Sequence, residues 1–529
     1  MKAPITKPLK YLRNIINMKQ FILSFLISVF LFGCSSTRTP VTETGDDGLI
    51  TFKFIQLNDV YEIAPLSGGQ YGGMARVAHV RDSVAKVNPN TFLFMAGDFL
   101  NPSLLGTIKL QGERIAGRQM IEVMNAMNFD LVTFGNHEFD ISEEALQERL
   151  NESNFTWVSA NVLQVQEDGN KPFSIQRDVG NIPIPRTYKR VIRDKDGTEV
   201  TVGFISVTVP SNPRDYVLYG DIYTTAVEAN EILKDQSDIT IGFTHLTIDQ
   251  DKELLKYLPN LPLIMGGHEH NNMLVTNNGG VIAKADANAK TVYIHTLTYN
   301  VHTKQLNIDS HLMPIDDTTP SKPSVKAIVD KWNSVLDAQI KQVIDNPNEI
   351  IYRAVPPLDG TDSANRSTQT NLGGIITRGM SYAYNNDMDA VIVNSGSFRV
   401  DDMLEGDIST MDIFRVLPFG GSIVRVKMKG SLLNEVLDYG KEKRGNGAYL
   451  QRYLINVNSA NGKWMIKDEQ IDDEKTYTIA TSDFLMLGYD IPFLTESHPG
   501  VIEVYHPKEN ETAYDIRKAV ILYLKSLKK

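Results

Sequence analysis

The stretch "FKFIQLNDVYEIAP", residues 52–65, has the form that the first half of the chain repeats. Its apolar start predicts a strand from Phe52 to Leu57 that ends in a polar turn carrying Asp59. A strand that delivers an aspartate to a turn commonly presents a metal or phosphate ligand. Tyr61 follows two positions later, where a histidine is the more usual partner. The stretch therefore indicates either a metal site with an unusual ligand or a site that has lost its chemistry.

Short apolar segments of this kind alternate with helical stretches from residue 50 to about 315. The candidate strands are "TFLFMAG" (91–97), "FDLVTFG" (129–135), "TVGFISV" (201–207), "ITIGFTH" (239–245) and "PLIMGGH" (262–268). Several of them end in Gly or His. This order predicts an α/β sandwich whose ligands lie at the carboxyl ends of its strands.

Metal-binding residue types recur at these strand ends. The segments are, in chain order, "LNDVY" (Asp59), "AGDFLNPS" (Asp98), "FGNHEFD" (Asn136, His137, Asp140), "FTHL" (His245) and "GGHEH" (His268, His270). Asp, Asn and His supply the oxygen and nitrogen ligands that suit Zn²⁺, Mn²⁺ or Fe. A lone strand-end aspartate is usually a turn cap and a lone histidine a core residue. Five such segments in order, inside an α/β pattern, favour a metal site.

The chain of 529 residues is too long for one ordinary core, so at least two domains are expected. A Pro-rich segment precedes "KPSVKAIVDKWNSVLDAQIKQVI" (322–344), whose apolar spacing predicts a connecting helix. Strands such as "DAVIVNSG" and "SIVRVKMKG" then predict a second α/β domain. The predicted parts are an export signal (1–34), a tether (35–48), a first domain (49–318), a connecting helix (319–345) and a second domain (346–529).

The first 34 residues have the features of a bacterial export signal. Lys19 precedes the apolar run "FILSFLISVFLF", which is too short to span a bilayer comfortably. The run leads into "LFGCSS", which resembles a lipoprotein box and makes Cys34 the expected lipid-modified residue. An uncut anchor is the alternative, and Met18 is an alternative start to Met1. Cys34 is the single cysteine, so neither disulfides nor a thiol nucleophile are expected in the exported part.

The formal net charge of −11 argues against non-specific binding of nucleic acid. An acidic protein still binds small phosphorylated molecules where metal ions and a few arginines are placed locally. The expected partners are therefore a small-molecule substrate and, through the lipid alone, a membrane. The sequence gives no indication of oligomeric state.

The five segments resemble those of the calcineurin-like metallophosphoesterases, and the second half narrows the resemblance to the 5'-nucleotidase family. The segments that resemble this family are "RSTQTNLGG" (366–374), "NSGSFR" (394–399), "LPFGG" (417–421) and "DFLMLGYD" (483–490). The resemblance covers roughly residues 50–510. It implies a four-layer α/β/β/α metallophosphoesterase sandwich followed by a second α/β domain, the 5'-nucleotidase C-terminal domain.

The resemblance also implies two divalent metal ions, Zn, Mn or Fe, which would polarise the phosphoryl oxygens and activate a water. Asp98 would bridge them. Asp59 and His270 would hold metal one, and the residues expected at metal two are Asn136, His245 and His268. His137 would stabilise developing charge or protonate the leaving oxygen, with Asp140 orienting its ring. The alternative for His137 is a buried histidine that only packs the loop.

For the substrate, the resemblance assigns Arg366 and Arg399 to the terminal phosphate, because guanidinium groups match phosphate oxygens. The residues expected around the nucleoside are Phe419 and Phe484 for base stacking, Asp490 for the ribose hydroxyls and Asn394 for a further polar contact. The alternatives are ion pairs for the arginines and core positions for the phenylalanines. Two departures stand out: Asp362 lies ahead of Arg366 where the family commonly has another Arg, and position 489 is Tyr rather than Gly.

Tyr61 replaces the histidine of the family's usual Asp-x-His, and three interpretations compete. Tyr61 ligates metal one as a phenolate, or it is a hydrogen-bonding neighbour of that metal, or metal one is absent. A degenerate site usually loses several ligands together, whereas here the other expected ligands all remain. We therefore expect a working enzyme with an altered metal one and keep Tyr61 as a candidate ligand.

The sequence thus predicts an exported, membrane-anchored lipoprotein that faces the periplasm or the cell surface and releases phosphate from nucleotides. Rotation of the second domain would carry substrate between base site and metals. Within enzymes, the alternatives are a 2',3'-cyclic nucleotide phosphodiesterase and a UDP-sugar hydrolase. From another class, the alternative is a non-catalytic nucleotide- or metal-binding surface lipoprotein.

Overall fold

The computed structural model describes residues 47–211, 214–341 and 343–528. The predicted export signal, the lipidation site Cys34 and almost all of the predicted tether lie outside the described residues. No helix among the described residues is long and apolar enough to cross a membrane. The elements below belong to one compact unit, Gly48–Asp194 with Thr198–Lys529.

Two six-stranded sheets form the centre of the first half of the chain. The first sheet contains, in spatial order, Gln305–Pro314, Thr291–Asn300, Leu49–Leu57, Thr91–Ala96, Leu131–Thr133 and Thr156–Val158. The second contains Thr187–Arg193, Glu199–Ile205, Ile239–His245, Leu263–Gly267, Gly280–Lys284 and Met273–Asn277. The four strands of the first sheet from Leu49–Leu57 onward are parallel, so their carboxyl ends share one edge.

Phenylalanines from both sheets fill the space between them. Phe54 of the first sheet lies 4.8 Å from Phe94 of the same sheet and 5.7 Å from Phe204 of the second, ring centre to ring centre. Phe94 and Phe243 are 5.8 Å apart across the sheets. Alternate residues of a strand point to opposite faces, so Phe52 and Phe54 face this core together. The aromatic layer therefore holds the two sheets face to face.

Helices cover the outer faces of both sheets. The helices of the first half are Met74–Val87, Leu104–Thr107, Arg118–Met127, Glu143–Glu152, Ile222–Leu233 and Ile248–Tyr257. In Arg118–Met127, the buried Met120, Met124 and Met127 recur at helical spacing and pack against the first sheet. On the other side, Ala226 and Leu254 pack against the second sheet. The predicted four-layer α/β/β/α sandwich is confirmed.

The connecting helix is Pro323–Ile340, four residues shorter at its carboxyl end than the predicted 322–344. Proline at the first helical position leaves no donor unsatisfied there. Its buried side chains are Val325, Val329, Trp332, Leu336 and Ile340, a stripe at helical spacing. The stripe packs on Met74–Val87 and Arg118–Met127, so this helix belongs to the outer layer of the first sheet.

The second half is an α/β unit around a five-stranded sheet. Its strands are, in spatial order, Leu450–Tyr453, Ala390–Asn394, Thr476–Ser482, Ile423–Lys429 and Val501–Tyr505. Its helices are Asp362–Asn365, Asn371–Tyr382, Thr410–Val416, Gly430–Glu442 and Ile516–Ser526. Val391 and Val393 face one apolar cluster and Ile392 the other, so both faces of the sheet are covered. The predicted second α/β domain is confirmed, while the exact domain bounds remain a prediction.

Smaller ribbons complete the structure. They pair Val162–Gln164 with Val217–Tyr219, Lys109–Leu110 with Glu113–Arg114, Ser174–Arg177 with Gly180–Pro183, and Ile350–Asp359 with Met403–Ser409. Ile455–Val457, Trp464–Ile466 and Glu469–Gln470 form a three-stranded ribbon. The strand Met403–Ser409 contacts the short turn Ser67–Gly69 of the first half. The two halves therefore meet beside the polar turns that follow the strands of the first sheet.

We expect Trp332→Ala to destabilise the protein by about 3–5 kcal/mol, the range for a buried large-to-small change. The Trp332 side chain is buried, and its Nε1 donates to Glu122 Oε2 at 2.9 Å. Lys331→Ala is the matched control, because Lys331 binds the same Glu122 from a half-exposed position. Lys331→Ala should lower the free energy of unfolding by less than about 1 kcal/mol. Urea unfolding followed by circular dichroism measures both, and equal losses would contradict docking of this helix through Trp332.

Candidate active site

The turns after three parallel strands of the first sheet bring Asp59, Asp98 and Asn136 to one edge. Asp59 and Asp98 adopt φ angles of 53° and 55°, a region that side chains enter at a cost in free energy. Gly135 leaves no room beside Asp98, because a Cβ there would lie 2.1 Å from Asp98 Oδ1. The backbone of these two turns therefore confines the Asp98 carboxylate.

The facing edge of the second sheet supplies the histidines. His245 ends the strand Ile239–His245, and His268 follows the strand Leu263–Gly267. His268 has a φ of 85° and donates its main-chain N–H to Asp59 Oδ2 at 2.9 Å. The rings of His245 and His268 lie 5.4 Å apart. All of the predicted strand-end residues therefore come from one pair of facing edges.

Asp98 lies at the centre of the cluster. Its Oδ1 accepts the main-chain N–H of His137 at 2.8 Å, and its Oδ2 lies 3.1 Å from His245 Nε2. The other ring nitrogen of His245 is bound to the Ala96 carbonyl oxygen at 2.8 Å. That bond turns Nε2 toward the carboxylates, the orientation usual for a metal-binding histidine.

Asp59 and Asn136 join the remaining histidines to the cluster. Asp59 Oδ1 lies 3.5 Å from His270 Nε2 and 3.9 Å from His245 Nε2. Asn136 Oδ1 lies 3.2 Å from His268 Nδ1. The six residues that the sequence predicts as metal ligands are therefore brought together.

The arrangement fits a cation. One ligand atom from each of Asp59, Asp98 and His245 lies within 4.8 Å of the others, and all three residues are buried. Asp59 Oδ1 and His245 Nε2 have no aligned hydrogen-bond partner among the described residues. Buried polar atoms that lack an aligned hydrogen bond are costly in free energy, and a shared cation would satisfy both atoms.

The electrostatics agree with this geometry. Burial by itself would lower the pKa of His245, but the charges of Asp98 and Asp59 outweigh it and raise the pKa to about 9. Burial and the neighbouring positive charge of His245 lower the pKa of His268 to about 4. The carboxylates of Asp98 and Asp59 thus favour a positive charge at the position of His245.

Tyr61 is buried inside the cluster rather than turned away from it. Its hydroxyl lies 3.3 Å from Asp98 Oδ2 and 3.2 Å from His270 Nε2. Burial and the charge of Asp98 raise the pKa of Tyr61 well above its usual value. In the metal-free protein Tyr61 is therefore a neutral hydrogen-bond donor to the carboxylate.

His137 and Asp140 form a bonded pair beside the cluster. Asp140 Oδ2 lies 2.8 Å from His137 Nδ1 and 3.2 Å from an Arg399 guanidinium nitrogen, while Arg214 binds Oδ1 at 2.8 Å. Burial would lower the pKa of His137, but the charges of Asp98 and Asp140 outweigh it and raise the pKa to about 9. Burial would raise the pKa of Asp140, but its hydrogen bond to His137 lowers it to about 2. The imidazole is thus oriented and positively charged.

Glu138 is a residue of the site that the sequence analysis missed. Its carboxylate accepts the main-chain N–H groups of Asp98, Phe99, Leu100 and Gly135, at distances of 2.5–3.1 Å. Burial and the charge of Asp98 raise the pKa of Glu138 to about 7. Glu138 therefore ties the Asp98 turn to the Asn136 turn. Its position inside "GNHEFD", between residues already assigned to the site, could have indicated that Glu138 belongs to the site.

A cavity of about 610 Å³ in the second half is lined by three of the residues predicted to bind the nucleoside, Asn394, Phe419 and Phe484. Asn394 Nδ2 donates to Asp490 Oδ2 at 2.7 Å, so Asp490 adjoins the cavity wall. Phe419 and Phe484 are 56% and 39% exposed, which excludes the alternative that they are core residues. Two exposed aromatic rings are therefore available at this cavity.

Phe419 connects this cavity to the charged cluster. It also borders a second cavity, of about 420 Å³, together with Arg399 and Asp140. The Arg399 guanidinium lies 5.9 Å from the centre of the Phe419 ring. The aromatic and charged parts of the site thus adjoin one another across the two halves.

Arg366 and Tyr489 have neighbours within the second half. Arg366 Nε is paired with Asp362 Oδ1 at 2.8 Å, which is the ion-pair alternative of the sequence analysis. Tyr489 is 73% exposed, and its ring lies 5.9 Å from that of Phe484. The residue at 489 therefore extends the aromatic surface at the cavity mouth.

Comparisons with known proteins match both halves of the chain. Residues 52–272 match the family model for calcineurin-like phosphoesterases, and residues 350–496 match the one for the 5'-nucleotidase C-terminal domain. The trifunctional nucleotide phosphoesterase protein YfkN of Bacillus subtilis is 26% identical over 464 residues, which are 78% of this chain and 31% of YfkN. The chain thus spans under a third of YfkN.

A second relative is similar over its whole length. The 5'-nucleotidase of Vibrio cholerae is 25% identical over 544 residues, covering 91% of this chain and 92% of that protein. Among solved structures, the 5'-nucleotidase precursor of Thermus thermophilus has a similar fold, with a TM-score of 0.65, 22% identity and coverage of 90% and 97%. The chain therefore belongs to the 5'-nucleotidase family of metal-dependent phosphoesterases, in which a calcineurin-like phosphoesterase domain is followed by a 5'-nucleotidase C-terminal domain.

Proposed function

We propose that this protein hydrolyses the phosphate monoester of 5'-nucleotides and releases a nucleoside and inorganic phosphate. The observation that carries the proposal is the junction at Phe419 and Arg399. At this junction, an open cavity with aromatic walls adjoins a buried cluster of carboxylates and histidines. A nucleotide has the matching parts, a flat base at one end and a phosphate at the other.

Two divalent ions are the cofactors of such a site, and six residues of this chain fit them. Asp98 would contribute to both sites, Asp59 and His270 would hold metal one, and Asn136, His245 and His268 would hold metal two. When bound, the ions supply charge stabilisation at the phosphoryl oxygens and activation of water.

His137 and Asp140 act on the leaving group in this proposal. Asp140 accepts the Nδ1 proton of His137, which leaves the Nε2 proton for the ester oxygen of the departing nucleoside. Arg399 contacts the same Asp140, so the phosphate-binding guanidinium and the proton donor share one carboxylate.

Export and anchoring are a further part of the proposal. The basic start, the short apolar run and the single cysteine at position 34 support a lipoprotein signal. The proposed mature protein is held at the membrane by lipid on Cys34.

Asp98→Asn should lower kcat/KM for AMP by about 1,000-fold, because the position that both ions share loses its charge. Phosphate release from AMP with added Mn²⁺ measures this. Asp249→Asn is the matched control, since Asp249 lies on the exposed face of the helix Ile248–Tyr257 and should retain wild-type turnover. Wild-type turnover in Asp98→Asn would contradict the proposed site.

Phe484→Ala should raise KM for AMP about tenfold, the value of one aromatic stacking contact. The KM for ribose 5-phosphate, which has no base, should stay unchanged. Initial-rate kinetics on the two substrates measure the difference. An equal rise for both substrates would mean that Phe484 maintains the structure and does not stack on a base.

Cys34→Ser should abolish incorporation of radioactive palmitate and move the protein from the membrane fraction to the soluble one. Cys34 is the chain's single cysteine, so the change removes the acceptor completely. Ser35→Ala is the control and should keep the label. Labelling that persists in Cys34→Ser would exclude the lipoprotein signal.

A further inference from the structure

Asp401 belongs to the second half of the chain but lies against the metal-ligand cluster of the first. It lies just before the ribbon strand Met403–Ser409 and adopts a φ of 41°. Its side chain is 17% exposed and faces His270. No strand-end motif contains this residue.

The main chain of Asp401 orients His270. The Nδ1 of His270 binds the carbonyl oxygen of Asp401. A metal-binding histidine commonly donates one ring N–H to a carbonyl and coordinates through the other nitrogen. The contact therefore leaves His270 Nε2 for the cluster.

The side chain of Asp401 lies at the same nitrogen. Its Oδ2 is 3.4 Å from His270 Nε2, which is itself 3.5 Å from Asp59 Oδ1. Its Oδ1 accepts the main-chain N–H of Asp362 at 2.6 Å, which fixes the direction of the carboxylate. Asp59 Oδ1 is buried without a hydrogen-bond partner among the described residues. The carboxylates of Asp59 and Asp401 therefore both lie within 3.5 Å of the His270 nitrogen that contacts the hydroxyl of Tyr61.

The neighbouring residue anchors this turn to the first half. Asp402 binds the Lys290 ammonium at 2.7 Å and lies within 3.4 Å of Asn288 Nδ2. Asn288 Oδ1 accepts the main-chain N–H of Tyr61 at 3.1 Å, and the main-chain N–H of Asn288 donates to the Asp59 carbonyl oxygen at 2.8 Å. The loop that carries Asn288 thus holds Asp59, Tyr61 and the Asp401 turn together.

We propose that the Asp401 carboxylate is a ligand of metal one and takes the place of the imidazole that Tyr61 replaces. Metal one then has ligands from both halves of the chain, and its affinity depends on their docking. An added carboxylate favours oxygen-preferring ions such as Mn²⁺. The proposal rests on the metal pair of the proposed function.

Calorimetric titration of the metal-free full chain with Mn²⁺ alone tests the proposal. The wild type should bind two ions, and Asp401→Asn should weaken one of the two positions by about 10- to 100-fold. Asparagine keeps the size of the side chain, an acceptor for Asp362 and the main-chain contact to His270, so the change removes mainly the charge. In Asp401→Asn, the electron paramagnetic resonance signal of isolated Mn²⁺ should replace the signal of two coupled Mn²⁺ ions seen in the wild type.

Two further variants make the result specific. Asp407→Asn is the matched control, because it removes a carboxylate of the ribbon strand Met403–Ser409 that pairs with the exposed Arg353 and should leave both positions intact. Tyr61→His in the Asp401→Asn background should restore the weakened position. Two wild-type affinities in Asp401→Asn, equal losses in Asp407→Asn, or no rescue by Tyr61→His would each overturn the proposal.

Ion binding is measured without nucleotide, so this proposal and the proposed function fail separately. A wild type that binds two ions through Asp401 yet releases no phosphate from AMP overturns the function alone. A wild type that turns over AMP while Asp401→Asn keeps both ions overturns the role of Asp401 alone. Thermal melting of each variant establishes that it is folded before titration.

Discussion

The site depends on how the Asp98 carboxylate is confined. It lies in a turn with positive φ, against a glycine that leaves no space beside it, and the carboxylate of Glu138 holds its main-chain N–H. A buried anion of this kind requires compensating charge. The charges that gather around it are histidines from the facing sheet and the loop after the next strand. Much of the geometry of the site follows from satisfying this one group.

The sandwich supplies the rigidity that this confinement requires. The phenylalanine layer between the sheets fixes the two edges opposite each other, so ligands from strands far apart in sequence meet without flexible loops. A second buried network supports the histidine side. The Lys284 ammonium donates to the carbonyl oxygens of Leu246 and Gly267, at 2.6 and 2.8 Å, and pairs with Asp251 at 2.8 Å. These carbonyls directly adjoin His245 and His268, so the network sets the positions of both rings.

The sequence predicted what is local and missed what depends on the approach of distant segments. Asp98, His245 and the other strand-end residues could be found because apolar strands mark where polar turns begin. Glu138 was missed because its partners are main-chain N–H groups, so "GNHEFD" marks the residue without showing what it binds. Asp401 was missed because it reaches the cluster only through contact between the two halves. The sequence raised an ion pair as the alternative for Arg366, but coordinates were needed to identify Asp362 as a partner.

The docking of Pro323–Ile340 limits where the molecule can bend. Its stripe of buried side chains makes the helix part of the outer helical layer of the first half. A rotation of the second half relative to the first would therefore pivot between Ile340 and Ile350, beyond the helix rather than within it. Such a swivel would also separate Arg399 from Asp140 and Asp402 from Lys290. These two ion pairs hold the docked arrangement, so any swivel that opened the crevice would have to break both.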